Sequence, residues 1–507
     1  MSQTFPATVP VKDIDAKHPE LQKFASLYDD LRLLYVGGKE LKDQCFRFLV
    51  KRQRELGTAF LAREAKINYD PILSTVVSFY VSKMYENGIE VEFANGESSA
   101  VDEFYTDFVQ ECDRGDTSLE LFFTRLTEEL LVYGKSYFII DLPKLPVQPS
   151  NLNEQQQLGG LNPYLAHIDI TAVQNWQQDA FGNFEWCVVH NKQQVQSFLA
   201  NPLTVETWTY YDKTNYAVYQ CEYAAEGKQR PTTAMLVDSG RHAMADQSVV
   251  PVIAISTSQH WLGNRLYLSL LEHFNAYNSL AFSLWQALNP VPVIQDGEQK
   301  AVELQQTVSE YAFLHLPYNG KAFWLEPQGT SWDASLKYLE ELRSNVYRMA
   351  HVSPLGRSTK ATPNAQSGYS KELEMSPSAS VLNCIGTMVK NVLQQTLDAV
   401  AAIRGESVKS DVRGFTFVQD TAASTIDIAL AAKALTIHST TALRELEKQV
   451  VRSLFRNDAN ADLVQQMVDE IEATPDEAFH PPQSTPGAPG GGADVTLNIS
   501  ERAGNPQ

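Results

Sequence analysis

Four cations are the residues best suited to chemistry: Arg348, Arg357, Lys360 and Lys371 stand in a stretch with no acid between its ends, inside a 507-residue chain of formal net charge -20. Guanidinium and ammonium groups in such a stretch are suited to phosphate, which they bind with release of counterions. Gly356-Arg357-Ser358-Thr359-Lys360 has the residue types of a nucleotide-phosphate loop. It lacks the GxxxxGK[ST] order and an obvious preceding strand, so no nucleotide site is expected there. HExxH, GxSxG and GxGxxG are absent as well.

The remaining constellations have plainer readings. Cys187 and His190 have a CxxH spacing, but they fall in a predicted strand with no second ligand pair nearby, which favours packing over zinc. Asp469, Glu470, Glu472, Asp476 and Glu477 read as a solvated helix end, since hydrolytic metal sites need ligands converging from a folded frame. Trp176, Trp186, Trp208, Tyr210, Tyr211, Tyr219 and Tyr223 would need interleaved basic residues to stack bases, and Lys192, Lys213 and Lys228 are too sparse. Arg114-Gly115-Asp116 reads as a turn between helices. The five cysteines are scattered and form no CxxC pair, so they read as buried free thiols. No catalytic residue, metal or cofactor is expected.

The elements that must position the cations come from periodicity. Apolar stripes predict helices over 264–288 and 334–350, with a short strand-helix-strand insert between them at 291–295, 299–309 and 322–325. The polar segment 351–370 then leads to a third helix over 371–403, striped by Val381, Ile385, Met388, Val392 and Leu397. Pro377 lies inside that helix, so it is expected to start only after Ser376 or to be kinked. Upstream, 18–66 is helical by pattern, with 39–42 as a solvated connection, and Pro71 starts another helix. Further helices fall at 101–112 and 117–132, the second capped by Thr117 or Ser118 and closed by Gly134.

Strands are predicted at 89–93 and 137–141, then at 164–168, 184–190, 205–211, 216–223 and 249–255, which suit a mostly antiparallel sheet with a hairpin at Asp212-Lys213-Thr214-Asn215, and 411–418 is expected to return as a strand. The loop at 143–160 is rich in Pro and Gln. Three more helices are predicted at 422–435, 440–455 and 461–471, before a Pro- and Gly-rich tail from 475. The fold class is therefore α+β.

At this length two to four domains are expected. The 43% hydrophobic and 20% charged composition is that of a soluble globular chain, and no apolar run approaches the roughly 18 residues that span a bilayer. No secretory leader pattern opens the sequence, so a cytosolic origin is expected. The acidic balance argues against a broad surface that coats nucleic acid, though not against DNA passing through.

The order of elements resembles that of tailed-phage portal proteins, over about residues 15–420. The stretches that carry the resemblance are Asp116-Thr117-Ser118-Leu119, Val132-Tyr133-Gly134-Lys135-Ser136-Tyr137-Phe138-Ile139-Ile140-Asp141-Leu142-Pro143, Pro163-Tyr164, Val173-Gln174-Asn175-Trp176, Val250-Pro251-Val252-Ile253, Asn275-Ala276-Tyr277 and Pro292-Val293-Ile294. The resemblance implies a portal-type fold: an amino-terminal wing region over 1–260, stem helices over 264–290 and 331–352, and a small β-α-β clip over 291–330. A tunnel loop over 353–370, a wing return helix and strand over 371–420, a helical crown over 421–473 and a disordered tail over 474–507 would follow.

It also implies a homododecameric ring at a capsid vertex, a head-to-tail connector through which double-stranded DNA is packaged, retained and ejected. The expected partners are a terminase that supplies the packaging ATPase, the major capsid protein and a head-tail adaptor, with no membrane. The expected location is the virion, and the host cytoplasm during assembly. On this view Arg357 and Lys360, with Arg348 and Lys371 at the margins, touch DNA phosphates transiently while an acidic wall repels them elsewhere. The residues also allow that these cations pair with Glu340, Glu341, Glu372 or Glu374 of neighbouring subunits. A metal-dependent nucleic-acid-processing enzyme and another structural head-tail adaptor stand as alternatives.

Overall fold

The computed structural model describes residues 5–53, 55–86, 88–95, 103–143, 160, 162–196, 202–224, 230–257, 260–288, 291–295, 321–325, 330–352, 368–415, 444, 447–448, 451 and 461–473. It divides into two compact units, Met1–Phe417 and Val418–Gln507. In the second unit the helix Ala461–Ala473 is amphipathic, with Val468 buried and Glu472 accepting from Lys448 Nζ at 2.7 Å. The predicted helices at 422–435 and 440–455 lie outside the described residues except at 444, 447–448 and 451, which are helical.

The larger unit begins with the helix Pro19–Val36, where His18 Nδ1 accepts from Glu20 N and Pro19 supplies the first turn. Its stripe of Leu21, Tyr28, Leu31 and Leu34 is buried. The predicted solvated connection at 39–42 is instead part of a short helix, Gly38–Asp43. Leu41 turns inward and is 1% exposed, so one apolar residue between charged neighbours is enough to dock the segment. Helices Ile72–Met84 and Leu119–Tyr133 complete the helical layer around the main core. Ser118 Oγ accepts from Leu121 N at 3.2 Å at the start of the latter, and Gly134 ends it in the left-handed region.

Against this layer lies a three-stranded antiparallel sheet in the order Val252–Ser256, Lys135–Asp141, Tyr164–Ile168. A second, six-stranded antiparallel sheet runs Thr8–Pro10, Thr233–Arg241, Asn215–Ala224, Leu203–Asp212, Phe184–Val195, Val173–Gln178. The Asp212 hairpin forms as expected, with Asp212 Oδ1 accepting from Thr214 N and Asn215 N, both at 2.7 Å. The sequence pattern had not marked three strands. Val173–Gln178 is rich in amides, and Thr233–Arg241 points Met235 and Val237 outward, so neither shows a clean apolar alternation. The predicted 249–255 strand joins the three-stranded sheet, not the larger one.

Two elements follow in the order that the periodicity predicts: a helix at Leu262–Leu288 and another at Thr330–Met349. Between them Val291–Gln295 and Lys321–Leu325 pair as an antiparallel two-stranded sheet, while the predicted 299–309 helix lies outside the described residues. The third helix runs Gly368–Arg404. It therefore starts ahead of Ser376, contrary to one expectation, and it includes Pro377, whose missing N–H leaves the carbonyl of Leu373 without its intrahelical donor. The chain then returns as Val408–Arg413, which pairs with Glu90–Asn95. No described helix is long and apolar enough to cross a membrane.

Candidate functional site

Of the four cations, two lie among the described residues. Arg348 is in the last turn of Thr330–Met349, exposed, with Nη2 donating to Asn345 Oδ1 at 3.0 Å. Lys371 is in the first turn of Gly368–Arg404. Arg357 and Lys360 lie outside the described residues, so the structure brings the chain to both margins of the basic segment but does not bring the four side chains together.

The near margin is held firmly. His351 N donates to Arg348 O at 3.0 Å and Val352 N to Tyr347 O at 2.9 Å, the paired bonds that close a helix with a left-handed residue, here His351 at φ 56. Val352 and Tyr347 are both buried, and Tyr80 OH donates to Ala350 O at 2.5 Å. The Gly368–Arg404 helix ends the same way, with Gly405 at φ 74 in the equivalent position. Burial pushes the His351 imidazole below its usual value, and nearby Arg265 adds to the shift.

The helix Leu262–Leu288 is locked to the body at its foot. A Cβ on Gly263 would sit 2.0 Å from Val132 O, and Trp261 Nε1 donates to that carbonyl at 2.8 Å. Higher up, Asn275 Oδ1 accepts from Val50 N at 2.9 Å while its Nδ2 donates to Phe48 O at 2.9 Å. Asn278 likewise accepts from Asn68 N at 2.7 Å and donates to Asn68 O at 3.0 Å. Two asparagines three residues apart thus replace a strand's backbone groups and strap the preceding segment to the helix.

A separate concavity, a cleft of about 540 Å³, opens beside Leu119–Tyr133. Phe122, Val132 and Leu165 form its buried floor, and Val36 stands exposed at its rim. Its polar wall carries Arg125, Glu128, Glu129 and His167. His167 Nε2 lies 2.8 Å from Glu129 Oε1, and that hydrogen bond raises the imidazole's pKa. Burial raises the Glu128 carboxyl, against a hydrogen bond from Tyr35. Sequence reasoning missed this cleft because charges on one helix face look the same whether they line a hollow or face open solvent.

The plain readings of the other constellations can be compared with geometry. Cys187 and His190 sit three apart in one strand and so face opposite sides of the sheet. Cys187 is fully buried, whereas His190 stacks on Trp208 at 5.0 Å, so the two cannot share a metal. Trp208, 0% exposed, is core, and its Nε1 donates to Asp15 Oδ1 at 3.2 Å. Arg230 ties Asp15 to Glu206 at 2.9 and 2.5 Å, a clamp that holds the first residues on the sheet. Asp113 Oδ1 accepts from Gly115 N and Thr117 N, fixing the Arg114-Gly115-Asp116 turn. Cys45, Cys112, Cys187 and Cys221 are buried, but Cys384 is exposed, because it lies off the helix face that Val381 and Ile385 bury. Among the described residues no group of three His, Cys, Asp or Glu converges as metal ligands; Asp476 and Glu477 lie outside them.

No protein-family model matches the chain, and no curated protein matches it. Among solved structures, it is similar to a chain from the neck of an empty gene transfer agent particle, at 12% identity and a TM-score of 0.37, over 75% of this chain and 90% of that one. A chain from the virion of a native gene transfer agent particle is similar at 10% identity and a TM-score of 0.34, over 74% of this chain and 89% of that one.

Proposed function

We propose that this chain is a portal protein of a tailed-phage-like particle: a structural, non-enzymatic subunit of an α+β portal-type fold that forms a closed ring around double-stranded DNA. The observation that carries this reading is the succession of Leu262–Leu288, the Val291–Gln295 and Lys321–Leu325 hairpin, Thr330–Met349, the acid-free basic segment and Gly368–Arg404. Two long helices that leave the body together and hold a small hairpin between them suit a stem and clip. The segment after them, anchored at His351 and Val352, suits a loop projecting into a channel. Homododecamer, terminase, major capsid protein and head-tail adaptor are the partners of this proposal, and the virion its location.

The mechanism follows from charge. A channel lined throughout with Lys and Arg would release many counterions and grip its cargo. A net-acidic chain with one acid-free basic loop would repel DNA along most of the wall and touch it weakly at a constriction. Arg357 and Lys360 are the proposed contacts, with Arg348 and Lys371 at the loop's margins. Replacing Arg357 and Lys360 together by Ala is expected to leave ring size unchanged while lowering the DNA packaged per particle. Loss of the rings themselves would instead assign these cations to pairing between subunits.

A further inference from the structure

We infer that His260, Arg265 and His351 form a second contact for the phosphodiester backbone of double-stranded DNA, at the foot of the basic segment and strengthened by mild acid. The inference deepens the portal reading above and rests on it for the identity of the ligand.

The three side chains come from two helix ends. Ser269 Oγ donates to Met349 Sδ at 3.5 Å and Tyr338 OH donates to Glu272 Oε1, so Leu262–Leu288 and Thr330–Met349 run antiparallel. Arg265 lies one turn before Ser269, and His351 follows Met349 by two residues, so the start of one helix meets the end of the other. His260 sits just ahead of the same helix start, with its N donating to Thr257 Oγ1 at 3.2 Å. Burial pushes both imidazoles below their usual value; Arg265 pushes both further, and His351 does the same to His260.

Nothing acidic balances this group among the described residues. Arg265 is exposed and its guanidinium makes no hydrogen bond or ion pair there, and neither imidazole makes a hydrogen bond. The charged groups around the two rings are accounted for. Tyr80, on Ile72–Met84, feels Arg265 and donates to Ala350 O; Arg348, one turn before His351, donates to Asn345; Glu272, two turns along from Arg265, accepts from Tyr338. In a chain with 61 Asp and Glu against 41 Lys and Arg, three cationic groups without a carboxylate are open to an anion from outside. The start of a 27-residue helix adds its own positive end. The basic segment follows directly after His351, so the group extends the same cationic surface. A phosphate against the two rings stabilises their charged forms, and proton uptake then accompanies binding. Affinity therefore rises as pH falls from about 7.5 and levels off below the rings' free values, which lie under about 6.5.

The test uses the full chain and a fluorescent duplex of about 30 base pairs, titrated by anisotropy at pH 7.5 and 6.0. The variants are Arg265→Gln and the pair His260→Gln with His351→Asn, since Asn tolerates the left-handed backbone at 351. At about 0.1 M salt, Arg265→Gln is expected to bind about tenfold more weakly and to lower the salt slope by about one, as loss of one phosphate contact requires. The double histidine variant is expected to lose the gain in affinity that the wild type shows from pH 7.5 to 6.0. An unchanged salt slope in Arg265→Gln, or a pH gain that survives in the double variant, would overturn the inference. Inorganic phosphate bound by the wild type as tightly as the duplex would make this a free-anion site and overturn the DNA assignment. Mass photometry of the same samples separates the two readings: rings lost in Arg265→Gln alone would assign the group to contacts between copies and overturn the inference. Absence of wild-type rings alongside the expected losses of affinity would overturn the ring reading and leave the DNA contact standing.

Discussion

His351 closes its helix in the left-handed region, where Gly405 closes the next one. A Cβ is strained there, so His351→Gly is expected to raise stability by up to about 1 kcal/mol, read as a higher melting temperature. A fall would show that the imidazole itself holds the loop margin. Histidines also set the response to mild acid. His242, whose Nε2 bonds Asp212 O at 2.9 Å, and His273 are both pushed down by burial. Below about pH 6.5 the unfolded chain takes up protons that these native rings refuse, so stability falls as pH drops from 6.5 through their folded values. Glu55, held at about 2 by Arg63, loses its contribution only below about pH 4.5, outside this window. His167 and Glu128 are shifted upward and work the other way. Replacing His242 by Gln should flatten the melting temperature between pH 7.5 and 5; an unchanged slope would remove His242 from this account. At this scale the sequence showed residue types and spacing: Cys187 and His190, read as packing residues of one strand, do face opposite sides of the sheet.

Elements were most legible where periodicity was long. The Leu262–Leu288 and Thr330–Met349 helices, the hairpin between them and the Leu119–Tyr133 caps all follow from apolar spacing and turn chemistry. Val173–Gln178 and Thr233–Arg241 were not legible, because a strand covered by neighbours on one face and carrying amides or outward Met235 and Val237 on the other loses its alternation. Nor does any spacing announce that Asn278 strands the backbone of Asn68 on a helix 210 residues away. Asn278 is 2% exposed and serves both backbone groups of Asn68, so Asn278→Ala removes two part-buried hydrogen bonds together with a buried amide. A loss of about 2–3 kcal/mol in denaturant unfolding is expected. A neutral variant would mean that water replaces the amide and that the strap contributes little.

Across the whole molecule, an acidic chain confines an acid-free cationic stretch to one segment and leaves other polar and apolar surfaces unmatched within a single copy. Those surfaces include Phe181 at 91% exposure, Leu268 at 75% on the first long helix and Leu336 at 47% on the second. The paired strands Val291–Gln295 and Lys321–Leu325 also form a sheet of two, which is marginal alone and, on the proposed ring reading, would gain from pairing with a neighbouring subunit's edge. On the proposed ring reading, further copies around a closed axis would cover these features. The most direct measurement is mass photometry of the purified full-length chain joined to negative-stain imaging of the same sample. The account predicts a closed ring with a central hole, of about a dozen copies if the portal reading holds; a homogeneous monomer without a hole would contradict it.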